Sequence, residues 1–168
     1  MNQYIRIILF VIFFCTPFVP GMAQTGRFYS MESGLSSSLV NKLLQDSRGF
    51  VWIATEYGLN RFDGIRFTNY KHIPGDSTSI KNNYVHTLFE DSRKNLFVGC
   101  IDGLMKYDRD TDTFIEIPMM RGGRRVYPHV TQMRELRNGE IWITTTGQGM
   151  FRLDIQGDKA LSLDNILH

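Results

Sequence analysis

Valine stands at positions 40, 85 and 130, a constant step of 45 residues. Leu43, Leu88 and Met133 keep that step, and so do Trp52, Phe97 and Trp142. Asp46 matches Asp91, whereas the third copy has Leu136. Gly58 matches Gly103; the third copy carries one extra residue between Thr144 and Gln148, so Gly149 arrives at a step of 46. Asp63, Asp108 and Asp154 follow in phase. Apolar positions and glycines held over three copies mean that the chain stacks like units, each burying its faces against its neighbours.

Within a copy the residues read as short strands. Asp46-Ser47-Arg48-Gly49 is a tight turn: the aspartate accepts from amides two residues on, and the glycine takes a positive φ. Residues 50–55 are β-branched and aromatic, as buried strands are. Gly58 breaks that strand, residues 59–62 alternate, Asp63-Gly64 is a hairpin turn and residues 67–70 alternate again. The second copy gives strands over 84–90, 96–99, 104–107 and 113–117; the third over 130–136, 140–144, 149–153 and, more weakly, 160–163. Four short antiparallel strands at this period fit a propeller blade better than a helical solenoid. The expected fold class is all-β: three four-stranded antiparallel blades over about residues 36–73, 80–118 and 126–164, an incomplete β-propeller. Trp52, Phe97 and Trp142 are expected to fill the space between blades. Leu43 and Trp52 on the first blade, and Met133 and Trp142 on the last, are expected to mark two open end faces.

Residues 1–23 stand apart. Arg6 precedes an unbroken apolar run over 7–14, Pro17 and Pro20 follow, and Gly21 and Ala23 supply the small −3 and −1 residues of a signal-peptidase site. The apolar run is shorter than the roughly 20 residues that span a bilayer. Cleavage is expected after Ala23, giving an exported, periplasmic chain that begins at Gln24. Only Cys100 then remains, so no internal disulfide forms. The net charge of +2 points to no nucleic-acid partner.

The segments Gly34-Leu35, Val40, Asp46-Ser47-Arg48-Gly49, Val51-Trp52-Ile53-Ala54-Thr55 and Gly58-Leu59-Asn60-Arg61-Phe62-Asp63 resemble the repeat of two-component regulator propellers. That repeat reads as a valine strand followed by D-x-x-G, W-I-G-T and G-L-x-R-[YF]-D. The first copy has Ala54 for the third-motif glycine; the second has Phe97-Val98-Gly99-Cys100 and Asn95; the third departs at Leu136 and at Gly149-Met150. The resemblance covers about residues 27–155. It implies the periplasmic sensor region of a hybrid two-component histidine kinase of the Bacteroidota type, responding to breakdown products of polysaccharides. In such receptors a membrane helix and the kinase follow the propellers, and contact with the membrane runs only through those later segments. Three blades fall short of the roughly 4–8 of a propeller, so the chain is expected to be part of a longer receptor or an unusually short relative. Arg27-Phe28-Tyr29 resembles an outer-strand segment of the kind that completes a last blade.

Other chemistry is thin. Asp108-x-Asp110-x-Asp112 has Thr113 and Met119 where a calcium loop needs Gly and Glu. Arg121-Gly122-Gly123-Arg124-Arg125 reads as a solvated loop between blades. His72, His86 and His129 lack metal-ligand spacing, so neither a metal nor a cofactor is expected. No nucleophile has a histidine and an acid in repeat beside it. Asp63, Asp108 and Asp154 share one repeat position, which suits turns better than a catalytic carboxylate pair. No kinase or other catalytic motif is present, and the chain is read as a binding protein, not an enzyme. The other two classes are an extracellular propeller enzyme (lyase or glycosidase) and a pure protein-interaction propeller. Function is expected in loops that vary from blade to blade on one face: Ser37, Asn83 and His129 before the first strands, and Tyr57, Asp102 and Gln148 after the second. Varied polar and aromatic groups round a channel mouth suit an oligosaccharide-like ligand. The expected partners besides that ligand are the remaining blades or a dimer partner.

Overall fold

The computed structural model describes residues 26–154 and 159–162. The expected signal peptide, and the tail that would end the third blade, lie outside the described residues. The described chain has a short 3-10 turn at Met31–Ser33 and fourteen strands. Strands β1 (Val40–Gln45), β2 (Val51–Thr55), β3 (Gly58–Phe62) and β4 (Phe67–Tyr70) form the first blade, antiparallel and in chain order. The second blade is β5 (Val85–Glu90), β6 (Leu96–Cys100), β7 (Gly103–Asp108) and β8 (Thr113–Ile117). After β9 (Met119–Arg121) and β10 (Arg124–Val126) come β11 (His129–Glu135), β12 (Ile141–Thr146), β13 (Met150–Leu153) and β14 (Ala160–Ser162). The third sheet runs β10-β9-β14-β13-β12-β11, six strands in place of four.

The turn that joins β1 to β2 is held by the carboxylate of Asp46. One oxygen accepts from the amides of Arg48 (2.9 Å) and Phe50 (3.0 Å); the other accepts from the indole Nε1 of Trp52 (2.9 Å). The aspartate is thus fully used although only 4% of its surface is exposed. Each later blade replaces this arrangement. Phe97 has no ring N–H, and Asp91 takes both the amide and the side-chain amide of Asn95 instead (2.7 and 2.8 Å). In the third blade Leu136 holds the aspartate position, and Trp142 donates to Glu140, which also receives Arg152. A buried polar tip must find a partner, so the residues change together.

Side chains alternate along a strand, and the alternation decides what faces what. Trp52 and Ala54 point towards the second blade, where Leu96, Val98 and Cys100 of β6 meet them in one buried cluster with Leu59, Val85, Leu88 and Ile80. Phe97 points the other way, into a cluster with Ile141, Ile143, Val130 and Phe151 of the third blade. Gly99 lies on that same face; a Cβ there would sit 2.7 Å from side-chain carbons of Thr87 and of Val130, so the second and third blades approach closely over it. Val85 and Val130 are fully buried because a blade precedes each, whereas Val40, with none before it among the described residues, is 44% exposed. The end-face expectation is corrected residue by residue. Trp52 is 0% exposed and belongs to the junction with the second blade, and Met133 packs into the second junction; Leu43 and the half-buried Trp142 are the ones turned to the ends.

Polar clamps tie the turns of adjacent blades. The amide and hydroxyl of Ser47 donate to the Glu90 carboxylate (2.8 and 2.7 Å), and Ser92 does the same to Glu135 (2.7 and 2.6 Å). At the first junction Arg109 adds a bridge, donating to Asp46 (3.1 Å) and Glu90 (2.7 Å). Further out, Asp112 accepts from Tyr70, Tyr107 and Arg61, and the Arg61 guanidinium lies 5.6 Å from the Trp52 ring centroid.

The segment that leads into each blade also runs along that blade's outermost strand. Asn69 of β4 donates to the carbonyl of Gly34, the Phe114 amide of β8 to Thr78, and the Ala160 amide of β14 to Pro118. Tyr29 packs edge-on against Phe62 and Phe67 (5.1 and 5.8 Å between ring centroids), so the start of the described chain is seated on the first blade's outer strands. In the third blade this lead-in is elaborated. β9 pairs in parallel with β14, and β10 folds back on β9 through Gly122-Gly123. The basic stretch 121–125 is therefore a β-hairpin on the rim of the sheet, not an open loop; a short parallel edge pairing has no periodic signal of its own.

Candidate functional site

On one face, the β2–β3, β6–β7 and β12–β13 turns emerge beside the connections that enter β1, β5 and β11. The Gly58 amide donates to the Asn83 carbonyl (2.7 Å), and the Ile101 amide to that of Tyr84 (3.2 Å), so the first two of these turns are bonded to the chain entering the second blade. Gly58 has φ +124°, and a Cβ there would lie 2.8 Å from the carbonyl oxygen of Tyr70, which explains a glycine at this corner.

The six residues singled out on this face differ in what holds them. The Ser37 hydroxyl accepts from the Leu39 amide (3.1 Å), a local turn. Tyr57 is 56% exposed, with Lys71 Nζ 4.3 Å from its ring centroid. Asn83 uses its side-chain oxygen on the His72 amide (2.8 Å). Asp102 accepts from Asn82 through Oδ2 (3.2 Å), while its Oδ1 is buried with no hydrogen-bond partner among the described residues. His129 likewise has a buried, unpartnered Nε2. Gln148 is half-buried at the β12–β13 turn. Asn83 and the Tyr57 turn meet through the Gly58 hydrogen bond; among the described residues no hydrogen bond joins Ser37 or Gln148 to the others.

From the sequence, His86 is weighed only as a metal ligand and Tyr84 is not singled out; both stand beside His129. The His86 and His129 rings are 4.7 Å apart at 86°, and Tyr84 lies 6.0 Å from His129 and stacked at 6.4 Å on His86. His86 Nδ1 is a third buried atom without a partner. Burial, and then the neighbouring His86, push the His129 imidazole below its usual range. The repeat held a signal for this. His86 is in phase with Asn41 and Thr131, and in each inner strand the register slips at that residue. The side chain there faces a neighbour: Asn41 donates across to the Val85 carbonyl (2.8 Å). Cys100, beneath this face, is fully buried, and burial pushes its thiol up to about 12, which makes it inert packing. Among the described residues no group of three His, Cys, Asp or Glu is placed to hold a metal ion. No described helix is long and apolar enough to cross a membrane.

Sheets stacked through apolar faces, each with its polar clamp and varied loops on one side, define a run of β-propeller blades. Residues 34–57 match the family described as Two component regulator propeller, the repeat whose motif the first blade carries. Histidine kinase P4 of Formosa agariphila is 44% identical over 62 residues, 34% of this chain and 4% of that kinase. The extracellular domain of a hybrid two component system from B. thetaiotaomicron superposes with a TM-score of 0.71 at 30% identity, over 80% of this chain and 19% of that one. A second B. thetaiotaomicron extracellular domain, of a one component system, gives 0.67 at 22% identity over the same shares and supports the fold alone. The chain therefore spans a small part of the length of the proteins it resembles.

Proposed function

We propose that this chain is the opening portion of an exported sensor propeller, which binds an extracellular ligand and passes the event to a membrane-linked histidine kinase. The ligand is a glycan breakdown product, and the chain contributes binding, not catalysis. The regulator-propeller match at residues 34–57 and the likeness to an extracellular domain of a hybrid two component system support the receptor class. Export fits the secretory pattern of residues 1–23.

The observation that carries ligand binding is the unpartnered Asp102 Oδ1. A buried carboxylate oxygen without a donor is costly, and a sugar hydroxyl is a donor of the right size. Tyr57, exposed on the β2–β3 turn of the same face, offers an aromatic surface for the apolar side of a pyranose ring. The test is a glycan array, followed by calorimetry, on a receptor that carries this segment with its complete propeller. Saturable oligosaccharide binding that Asp102→Ala weakens, with no turnover in lyase and hydrolase assays, is the expected result. Turnover, or binding indifferent to Asp102→Ala, overturns the proposal.

A further inference from the structure

We propose that His86 and His129 together form a divalent transition-metal site bridging the second and third blades, with the two imidazoles as its protein ligands. The two side chains come from different sheets, β5 and β11, and lie 43 residues apart in sequence, so no ligand-spacing motif announces them. The fold nevertheless brings their rings to 4.7 Å at 86°. Two imidazoles that share one ion at nearly right angles, with metal–nitrogen distances of about 2.0–2.1 Å, have ring centres roughly 4.5–5 Å apart. The observed separation falls in that range.

Each ring also keeps a nitrogen with nothing to bind. His86 Nδ1 and His129 Nε2 are both buried and both without a hydrogen-bond partner among the described residues. By contrast, His72, which lies apart from them, has its Nδ1 3.0 Å from the Ile80 carbonyl. Buried ring nitrogens of neutral histidines normally find a donor, an acceptor or a metal. No third His, Cys, Asp or Glu among the described residues joins the pair. The remaining coordination positions therefore belong to water or to an incoming ligand atom, as in sites that keep an open position. Imidazole donors favour copper, zinc or nickel over calcium or magnesium, and in the usual affinity order copper binds most tightly. An ion there would join the second and third blades at the end of the strands opposite their Ser92–Glu135 clamp. The metal site is independent of the glycan reading, because the metal is tested alone.

Calorimetric titration of the full chain with Zn2+, and with Cu2+ followed by electron paramagnetic resonance, tests the proposal. One saturable equivalent is expected, with nitrogen superhyperfine structure from the copper. Loss of an outer-shell partner alone costs about 10–100-fold in affinity, so His86→Ala and His129→Ala should each weaken binding by at least about tenfold, and His72→Ala should leave it unchanged. Because either variant could unfold, Ni2+ broadening of the His86 and His129 ring resonances in the unaltered chain gives a second reading. Absence of saturable binding, binding equal in the His86→Ala and His129→Ala chains, or broadening confined to other histidines overturns the site.

Discussion

Trp52 shows how one side chain serves two requirements at once. Its ring is fully buried between blades, stacked near Tyr70 and edge-on to Tyr107, and its indole N–H reaches Asp46. Trp52→Ala should cost about 3–5 kcal/mol, the usual loss for a truncated core aromatic. Tyr57→Ala, on an exposed turn, should change stability far less; denaturant melts of the two variants check the difference. Asp46 sets a pH dependence. Burial opposes its charge, but hydrogen bonds from Trp52, Arg48, Arg109 and Phe50 win, and the carboxyl is held below its usual value. A group depressed in the folded state contributes its stability above its unfolded pKa, and that contribution is lost as pH falls through the folded one. Melting temperature should therefore drop below about pH 4, and Asp46→Asn should flatten that acid limb while lowering stability at neutral pH. An unchanged acid limb in Asp46→Asn would place the dependence elsewhere.

Among the elements, the clamps repeat as the strands do. Ser47–Glu90 and Ser92–Glu135 occupy equivalent places at two junctions, and at the first Arg109 shares Glu90. Glu90→Ala removes one of the two carboxylates that hold Arg109 and the acceptor of the Ser47 hydroxyl, and should cost about 1–3 kcal/mol. Glu135→Ala takes the acceptor from the Ser92 hydroxyl and removes the charge beside Arg93, so it should destabilise as well, and the two losses should add because the junctions are separate. Urea melts of the single and double variants measure this. The strands were legible in the sequence because a 45-residue step carries valine, aromatic and glycine through three copies, and a repeated apolar position is core wherever a neighbour exists. The facing of each residue was not: Leu43 and Trp52 are one repeat unit's apolar pair, yet antiparallel pairing sets Leu43 beside Ile53 and Leu44 beside Trp52, on opposite faces. The hairpin β9–β10 was hidden for a different reason. Its Arg-rich strands look like solvated loop because they cover an edge, where charge is an advantage. The His86–His129 pair was hidden because contact across blades leaves no local spacing in the chain.

For the whole molecule, the decisive feature is that the stacked blades leave two faces without a neighbour among the described residues. On the first blade Val40 and Leu43 are 44% and 60% exposed; on the third, Trp142 is only half-buried and Met150 is exposed. Their counterparts inside the stack, Val85, Leu88, Val130 and Phe97, are all buried, so the exposure follows from position in the stack and not from residue type. Apolar faces of this kind associate, and stacked repeats without polar caps are poorly soluble. Residues 24–168 expressed alone should therefore oligomerise or aggregate, with the contacts running through these two faces. Leu43→Glu and Trp142→Glu place a charge on each face without entering a junction, and together should shift the population towards monomer. Light scattering, paired with near-ultraviolet circular dichroism to confirm that the junction aromatics stay ordered, reads both effects. A monodisperse monomer with a sharp cooperative melt from the unaltered segment would show that the two buried junctions suffice. Association unchanged by both glutamates would move the contact to the rim, where β10 is the outermost strand of the third sheet.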